Sequence, residues 1–321
     1  MKTRCGLVAG LLITFACALA GPAKPALIVA ADGSGDFKTI QAAVDAVPAN
    51  SDERTTIVIK KGTYEELVIV AAEKKNLTIR GEDRKQTIIA ATNNAKLNPR
   101  RREMFSAEAD GFRLENLTLH NTTPKGGSQA ETIRVRADRV VLDHCDFVSF
   151  QDTLRLDGRV YVHECYVEGD VDFIWGGGSV YFDHCDIFAV HDGYLVQSRN
   201  RADKPGYVFV GCKITIAPDV KRFVFGRIDP KVYPFSHVAL IDCAVGGPLT
   251  AAGWIFDGLG KDAPKDGIRF EEFHPTDLAG KPLDVAQRIA GSRQLTPEEA
   301  AKQRDVATTL GGSDHWNPRE K

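Results

Sequence analysis

The chain has 321 residues, 43% of them hydrophobic and 26% charged, with a formal net charge of −2. That length holds one large domain or two, and the balance is that of an ordinary globular protein, which excludes disordered and fibrous classes. With 41 basic residues against 43 acidic ones, no global positive field exists to recruit nucleic acid.

Met1 to Ala20 has the pattern of an export signal: Lys2 and Arg4, an apolar run from Leu7 to Ala18, then Ala18-Leu19-Ala20 as a small-residue cleavage site. The run is too short and wrongly flanked for a membrane span, and no other stretch reads as one. A lipoprotein reading with Cys17 as acceptor lacks an aliphatic residue at Thr14. The expectation is a secreted or periplasmic protein whose mature part, residues 21–321, is one domain. Cleavage removes two of seven cysteines and leaves Cys145, Cys165, Cys185, Cys212 and Cys243. An odd number leaves at least one free thiol. Each follows a strand-like run such as YFDHC or VALIDC, so a ladder of buried thiols is expected, with a disulfide as the alternative.

Asp32 to Asp36 is a turn cluster, and Phe37 to Val47 follows with Ile40, Ala43, Val44 and Val47 at helical spacing before Pro48. A short helix there suits the open end of a stacked fold. Asn76-Leu77-Thr78-Ile79 and Asn116-Leu117-Thr118-Leu119 resemble the later Cys145-Asp146-Phe147-Val148 step, with asparagine standing in the cysteine's place and bonding to neighbouring backbone. Arg100-Arg101-Arg102 is a basic run, read as a solvated loop or as a contact for a polyanion. Pro124 to Ala130 is a glycine-rich loop that ends at Gln129-Ala130.

Three rows of 20 residues follow, starting at Val140, Val160 and Val180. Each opens on alternating β-branched and aromatic residues and carries a cysteine at the same place. A fixed period of this length is a solenoid signature, and the alternation makes its unit a strand. One row cannot bury its own apolar face, so the rows must stack as parallel coils. Asp152 and Asp172 each lie seven residues after their row's cysteine, so stacking makes them neighbours. Two adjacent carboxylates cannot both ionise cheaply; one keeps a proton and can act as an acid, while the other attacks. Asp192 has the same offset and is read as a loop residue. Arg227 is a candidate cation for the pair, and Gln129 and Gln151 are candidate amide donors to an oxyanion. Trp175 is either core packing or a wall against a sugar ring. From Leu283 the pattern changes: Thr296-Pro297-Glu298-Glu299 is a capping box, and a helix to about Ala307 forms a tail, residues 283–321, along the solenoid's side.

Several of these stretches resemble the pectin methylesterase family, exported carbohydrate esterases. They are Asp32-Gly-Ser-Gly-Asp-Phe-Lys-Thr-Ile-Gln41, Gly62-Thr-Tyr-Glu-Glu66, Gln151-Asp-Thr-Leu154, Val171-Asp-Phe-Ile-Trp-Gly176 and Phe225-Gly-Arg227, and the likeness runs from Asp32 to about Pro318. The resemblance implies an all-β, right-handed parallel β-helix acting on methylated polygalacturonate as a monomer, without metal or cofactor. It implies that Asp172 is the nucleophile, Asp152 the general acid and base, Gln129 and Gln151 the oxyanion donors, Arg227 the partner of Asp172, and Trp175 a sugar platform. Three departures stand out. Ile228 and Asp229 replace a proline and a tryptophan, Arg155 replaces a tyrosine, and Gln129-Ala-Glu-Thr-Ile133 differs from the family's Q-A-V-A-L. The alternatives are an esterase on another acylated carbohydrate or a thioester, a retaining glycosidase built on the paired carboxylates, and a non-catalytic carbohydrate-binding solenoid.

Overall fold

Row-to-row pairing decides the architecture. Val140 stands beside Val160, and Val160 beside Val180, each in parallel register. The 20-residue period of the sequence is therefore one full coil. The structure is a computed structural model that describes residues 26–320, so the export-signal pattern lies outside the described residues.

The coils stack into one sheet of 11 strands and a branched sheet of 15. The first runs from Leu27–Val29 to Ser292–Gln294 and forms one face. The branched sheet makes the other two faces. Its long strands Tyr166–Gly176 and Asp186–Ser198 turn the edge between them. One of these faces carries the ladder Val68–Val70, Phe105–Ala107, Ile133–Val135 and Leu154–Leu156, which continues into the end of Tyr166–Gly176. This is the expected parallel β-helix.

Apolar residues stack through its centre, because each coil leaves the same position facing inward. Val140, Val160, Val180, Tyr207, Val238 and Phe270 form one such column, all in a single core that extends from Val29 to Phe270. Phe182 and Phe209 stack with ring centroids 4.3 Å apart. The five cysteines form the expected ladder: all are buried free thiols. The amide of Cys145 donates to Cys165 Sγ at 3.4 Å, and that of Cys185 to Cys212 Sγ at 3.4 Å.

The residue before each cysteine turns the corner in a left-handed conformation. His144, Glu164, His184 and Asp242 have φ of 52°, 47°, 51° and 53°, with Gly211 completing the series at 61°. Such angles are uncommon outside glycine and asparagine, and they recur here because each coil must bend sharply at one place. The asparagine reading is corrected by register. Glu115 pairs with Asp143, so Asn116 stands at His144's place and Leu117 at Cys145's. Asn76 belongs to a different edge, since Thr78 pairs with Arg113, and it stacks on Gly111. Both still bond across coils: Asn116 Nδ2 donates to Gly81 O at 3.0 Å, and Asn76 Nδ2 to Ser51 O at 3.1 Å.

The first helix, α1 (Ile40–Ala46), is capped by Thr39 and buries Ile40, Ala43 and Val44 against the first coils, as the spacing predicts. The capping box forms as expected at α2 (Pro297–Arg304), between Thr296 and Glu299. The predicted helix to Ala307 is in fact two. Asp305 has an extended backbone and caps a new helix, α3 (Val306–Leu310). The tail packs Leu295, Ala300, Val306 and Leu310 on an outer apolar strip made by Val141, Tyr161, Tyr181, Val208 and Ile241. Among the described residues no helix is long and apolar enough to cross a membrane.

Candidate active site

Asp152 and Asp172 stand on consecutive coils. The amide of Asp152 donates to Val171 O at 3.1 Å, and two residues on Leu154 pairs with Ile174. Both aspartates have left-handed backbones, with φ of 69° and 49°. This interrupts the strand alternation. Phe173 and Ile174 both enter the core, and Asp172 is turned the other way, toward polar side chains from the next coils. Asp192 fails to join them for a reason of register. Gly169 pairs with Ala189 but Val171 with Tyr194, so an irregularity between Gly169 and Val171 moves the third row out of step. Asp192 is not in a loop, as expected, but within the strand Asp186–Ser198, where its Oδ1 accepts from the amides of Lys221 and Arg222.

The two carboxylates have different surroundings. Asp172 is 8% exposed. Its Oδ2 accepts from Gln197 Nε2 at 3.3 Å and lies 3.8 Å from Arg227 Nη1, while its Oδ1 has no partner. Burial pushes its pKa up to about 6 against the opposing pull of Arg227 and Arg199. Asp152 is 6% exposed, and its Oδ2 accepts from Arg102 Nη2 at 2.9 Å. Burial first, then the negative charge of Glu131, push it up to about 8, with Arg102 opposing. With these values Asp172 is mostly ionised and Asp152 mostly protonated at neutral pH.

Arg227 is steered by Asp257, whose Oδ2 lies 2.7 Å from its Nε, and by the ring of Tyr194 at 5.0 Å. Gln151 is the residue before Asp152, and its carbonyl accepts from the Ala130 amide at 3.1 Å, which brings Gln129 and Gln151 onto adjacent coils. Gln151 also lines a cleft of about 500 Å³ with Lys125, Phe150, Asp170, His191 and Asp219. Trp175 is 3% exposed. Its ring is flanked by the guanidinium groups of Arg155 and Arg199, each 4.3 Å from the centroid. A sugar reaches that ring only if an arginine moves aside.

Sequence reasoning left out several residues that complete the site. Arg102 belongs to the basic run, yet it is neither in a solvated loop nor part of a free patch. It bonds to Asp152 and to Glu131, while Arg101 pairs with Glu108. Gln197 and Arg199 end the third row, and the signal that could have found them is that row's polar Gln197-Ser198-Arg199 close after an apolar strand.

A pectinesterase family model matches residues 26–313, nearly the whole described chain. The chain belongs to the pectinesterase family. Pectinesterase 31 of Arabidopsis thaliana is 32% identical over 287 residues, covering 85% of this chain and 88% of that protein. The putative pectinesterase/pectinesterase inhibitor 45 of the same plant is 33% identical over 297 residues, but this chain spans only 48% of its length. Among solved structures, the pectin methylesterase from carrot superposes with a TM-score of 0.83 at 26% identity, covering 92% of this chain and 96% of that one.

Within the pectinesterase frame, the departure at Ile228-Asp229 is resolved locally. Ile228 is buried in the core, and Asp229 spends its charge on the loop, with Oδ1 accepting from the Lys231 amide at 3.0 Å and Oδ2 from the Leu259 amide at 3.1 Å. Both of its carboxylate oxygens are thus engaged by loop amides. Tyr233 and Phe235 line a cleft with Arg199.

Proposed function

We propose that this chain hydrolyses the methyl esters of galacturonate units in pectin and releases methanol. The observation that carries the reading is the difference between the two adjacent aspartates: Asp172 has an unbonded Oδ1 and lies beside Arg227, while burial and Glu131 push the pKa of Asp152 up to about 8.

In this reaction Asp172 Oδ1 attacks the ester carbonyl carbon, and the carbonyl electrons move onto oxygen. Gln129 and Gln151 donate amide hydrogens to that oxyanion, a type of stabilisation in general worth about 3–4 kcal/mol per donor. As the intermediate collapses, Asp152 gives its proton to the methoxy oxygen and methanol departs. The acyl group remains on Asp172 as an anhydride. Asp152, now ionised, takes a proton from water, the hydroxide adds to the anhydride carbonyl, and galacturonate leaves with Asp172 restored. Arg227 keeps the attacking carboxylate ionised and aimed. The arginines around Trp175 face a polymer whose freed units are anionic, so Arg155 and Arg199 suit carboxylates next to the ester being cleaved. Polymer surrounding cells is reached only by an exported protein, which the Met1–Ala20 pattern supports.

The test is methanol release from highly methylated pectin, with acetate assayed beside it on acetylated polyuronides. Methanol from wild type and none from Asp172→Asn is the expected result. New reducing ends without methanol would make the chain a glycosidase and overturn the proposal.

A further inference from the structure

Arg102 joins two buried acids from different coils. Its Nε donates to Glu131 Oε1 at 2.7 Å and its Nη2 to Asp152 Oδ2 at 2.9 Å. Glu131 is 0% exposed, and its Oε2 has no partner. The Trp175 ring, 5.1 Å from the guanidinium carbon, supports the arginine from another side. Glu131 falls where the family's Q-A-V-A-L pattern has valine, so this arrangement is not part of that pattern.

One cation and two enclosed acids cannot all be charged without leaving a net negative charge in a nearly dry site. Retaining one proton removes that cost. The remaining charged groups do not change the sum in favour of ionisation. Asp172 and Arg199 act on Asp152 with opposite signs, and the buried Glu103 beside Glu131 is itself faced by Arg134. The question is which acid keeps the proton. Burial pushes the carboxyl of Glu131 up as well, but Glu131 has the shorter bond to the guanidinium, at 2.7 Å against 2.9 Å. A proton on its Oε2 would find no acceptor, whereas Asp152 lies on the coil edge beside the nucleophile.

We propose that Glu131 is a positioning residue: by engaging Arg102 it leaves Asp152 as the holder of the proton that methanol takes on departure. This rests on the esterase reading above. It extends the site by a buried Arg–Glu pair that sets the charge state of the acid catalyst without touching substrate.

The experiment is the pH profile of kcat/KM for methanol release in wild type, in Glu131→Gln, and in the double variant Arg102→Met with Glu131→Val. In Glu131→Gln the arginine's charge falls on Asp152 alone, so the alkaline limb moves down by about 1–3 pH units. The double variant removes both charges and returns the limb to near its wild-type position. A Glu131→Gln profile that coincides with wild type overturns the proposal. An infrared measurement covers the case in which Glu131→Gln does not fold. Near neutral pH the wild type should show the carbonyl stretch of a protonated carboxylic acid, and Asp152→Asn should lose it. If Asp152→Asn keeps that band, the proton sits elsewhere and the proposal falls. A wild type that releases no methanol sinks the esterase reading instead, and the infrared band still decides where the proton is.

Discussion

Two edges of the same coil can be compared directly. At one, His144, Glu164 and His184 turn the chain left-handed, and the next residue drops a cysteine into the core. At the other, Asp152 and Asp172 make the same kind of turn and aim carboxylates at arginines. The backbone problem is identical, since a sheet must bend and one residue per coil absorbs the bend. The outcomes differ in how the polar atoms are satisfied. Cys145 and Cys165 thiols lie within reach of backbone carbonyls, with Cys165 Sγ 3.4 Å from Leu142 O. Asp172 Oδ1 and Glu131 Oε2 have nothing. Repetition alone thus builds an inert ladder; reactivity arises where repetition brings like charges together and leaves bonds unmade.

Breaking the charged edge should have the largest effect. Asp172→Asn is expected to lower kcat by about 10³-fold or more, with an unchanged circular dichroism spectrum. Asp152→Asn should follow at about 10²-fold. In wild type, kcat/KM should rise as Asp172 ionises near pH 6 and fall as Asp152 loses its proton near pH 8. A profile with no fall below pH 6 and none above pH 8 would remove the division of roles. Stability gives an independent reading. Asp152 ionises near 3.8 in the unfolded chain and near 8 in the folded site, so the folded state holds a proton the unfolded chain has released. The enclosed carboxyl therefore costs stability increasingly as pH rises through that window, and in full above it. Asp152→Asn should melt higher than wild type at alkaline pH, with the gap closing toward pH 4.

Smaller effects are expected away from the pair. Arg155→Tyr restores the family's residue and removes one of the guanidinium groups over Trp175. It should weaken binding of de-esterified polygalacturonate by less than about tenfold, measured by calorimetry at low salt. Cys165→Ala tests the inert ladder: stability should fall by about 1 kcal/mol in urea unfolding while kcat stays unchanged. A large loss of activity there would show that the two edges are coupled.

The stacked coils, the thiol ladder and the Asp152–Asp172 adjacency were legible because they depend only on a repeat length that residue spacing displays. What spacing could not display depends on register and on reach. The irregularities on either side of Val171, which expel Asp192 and place Gln197 beside Trp175, have no counterpart in the period of 20. Arg102 lies 50 residues before Asp152, so no local pattern links them. Trp175 is recognisable as a neighbour of the nucleophile, but its enclosure by Arg155 and Arg199 comes from three separate coils meeting.

The C-terminal tail has a mechanical consequence. In a stack of coils each turn touches only the turns beside it, so melting could begin at an end and travel inward step by step. Here α3 lies across Val141, Tyr161 and Tyr181, Arg159 pairs with Asp314, and Arg319 pairs with Asp183. The tail acts as a splint across turns that would otherwise separate one at a time. It should make their melting all-or-none, so trimming it would broaden the transition before it lowered the midpoint.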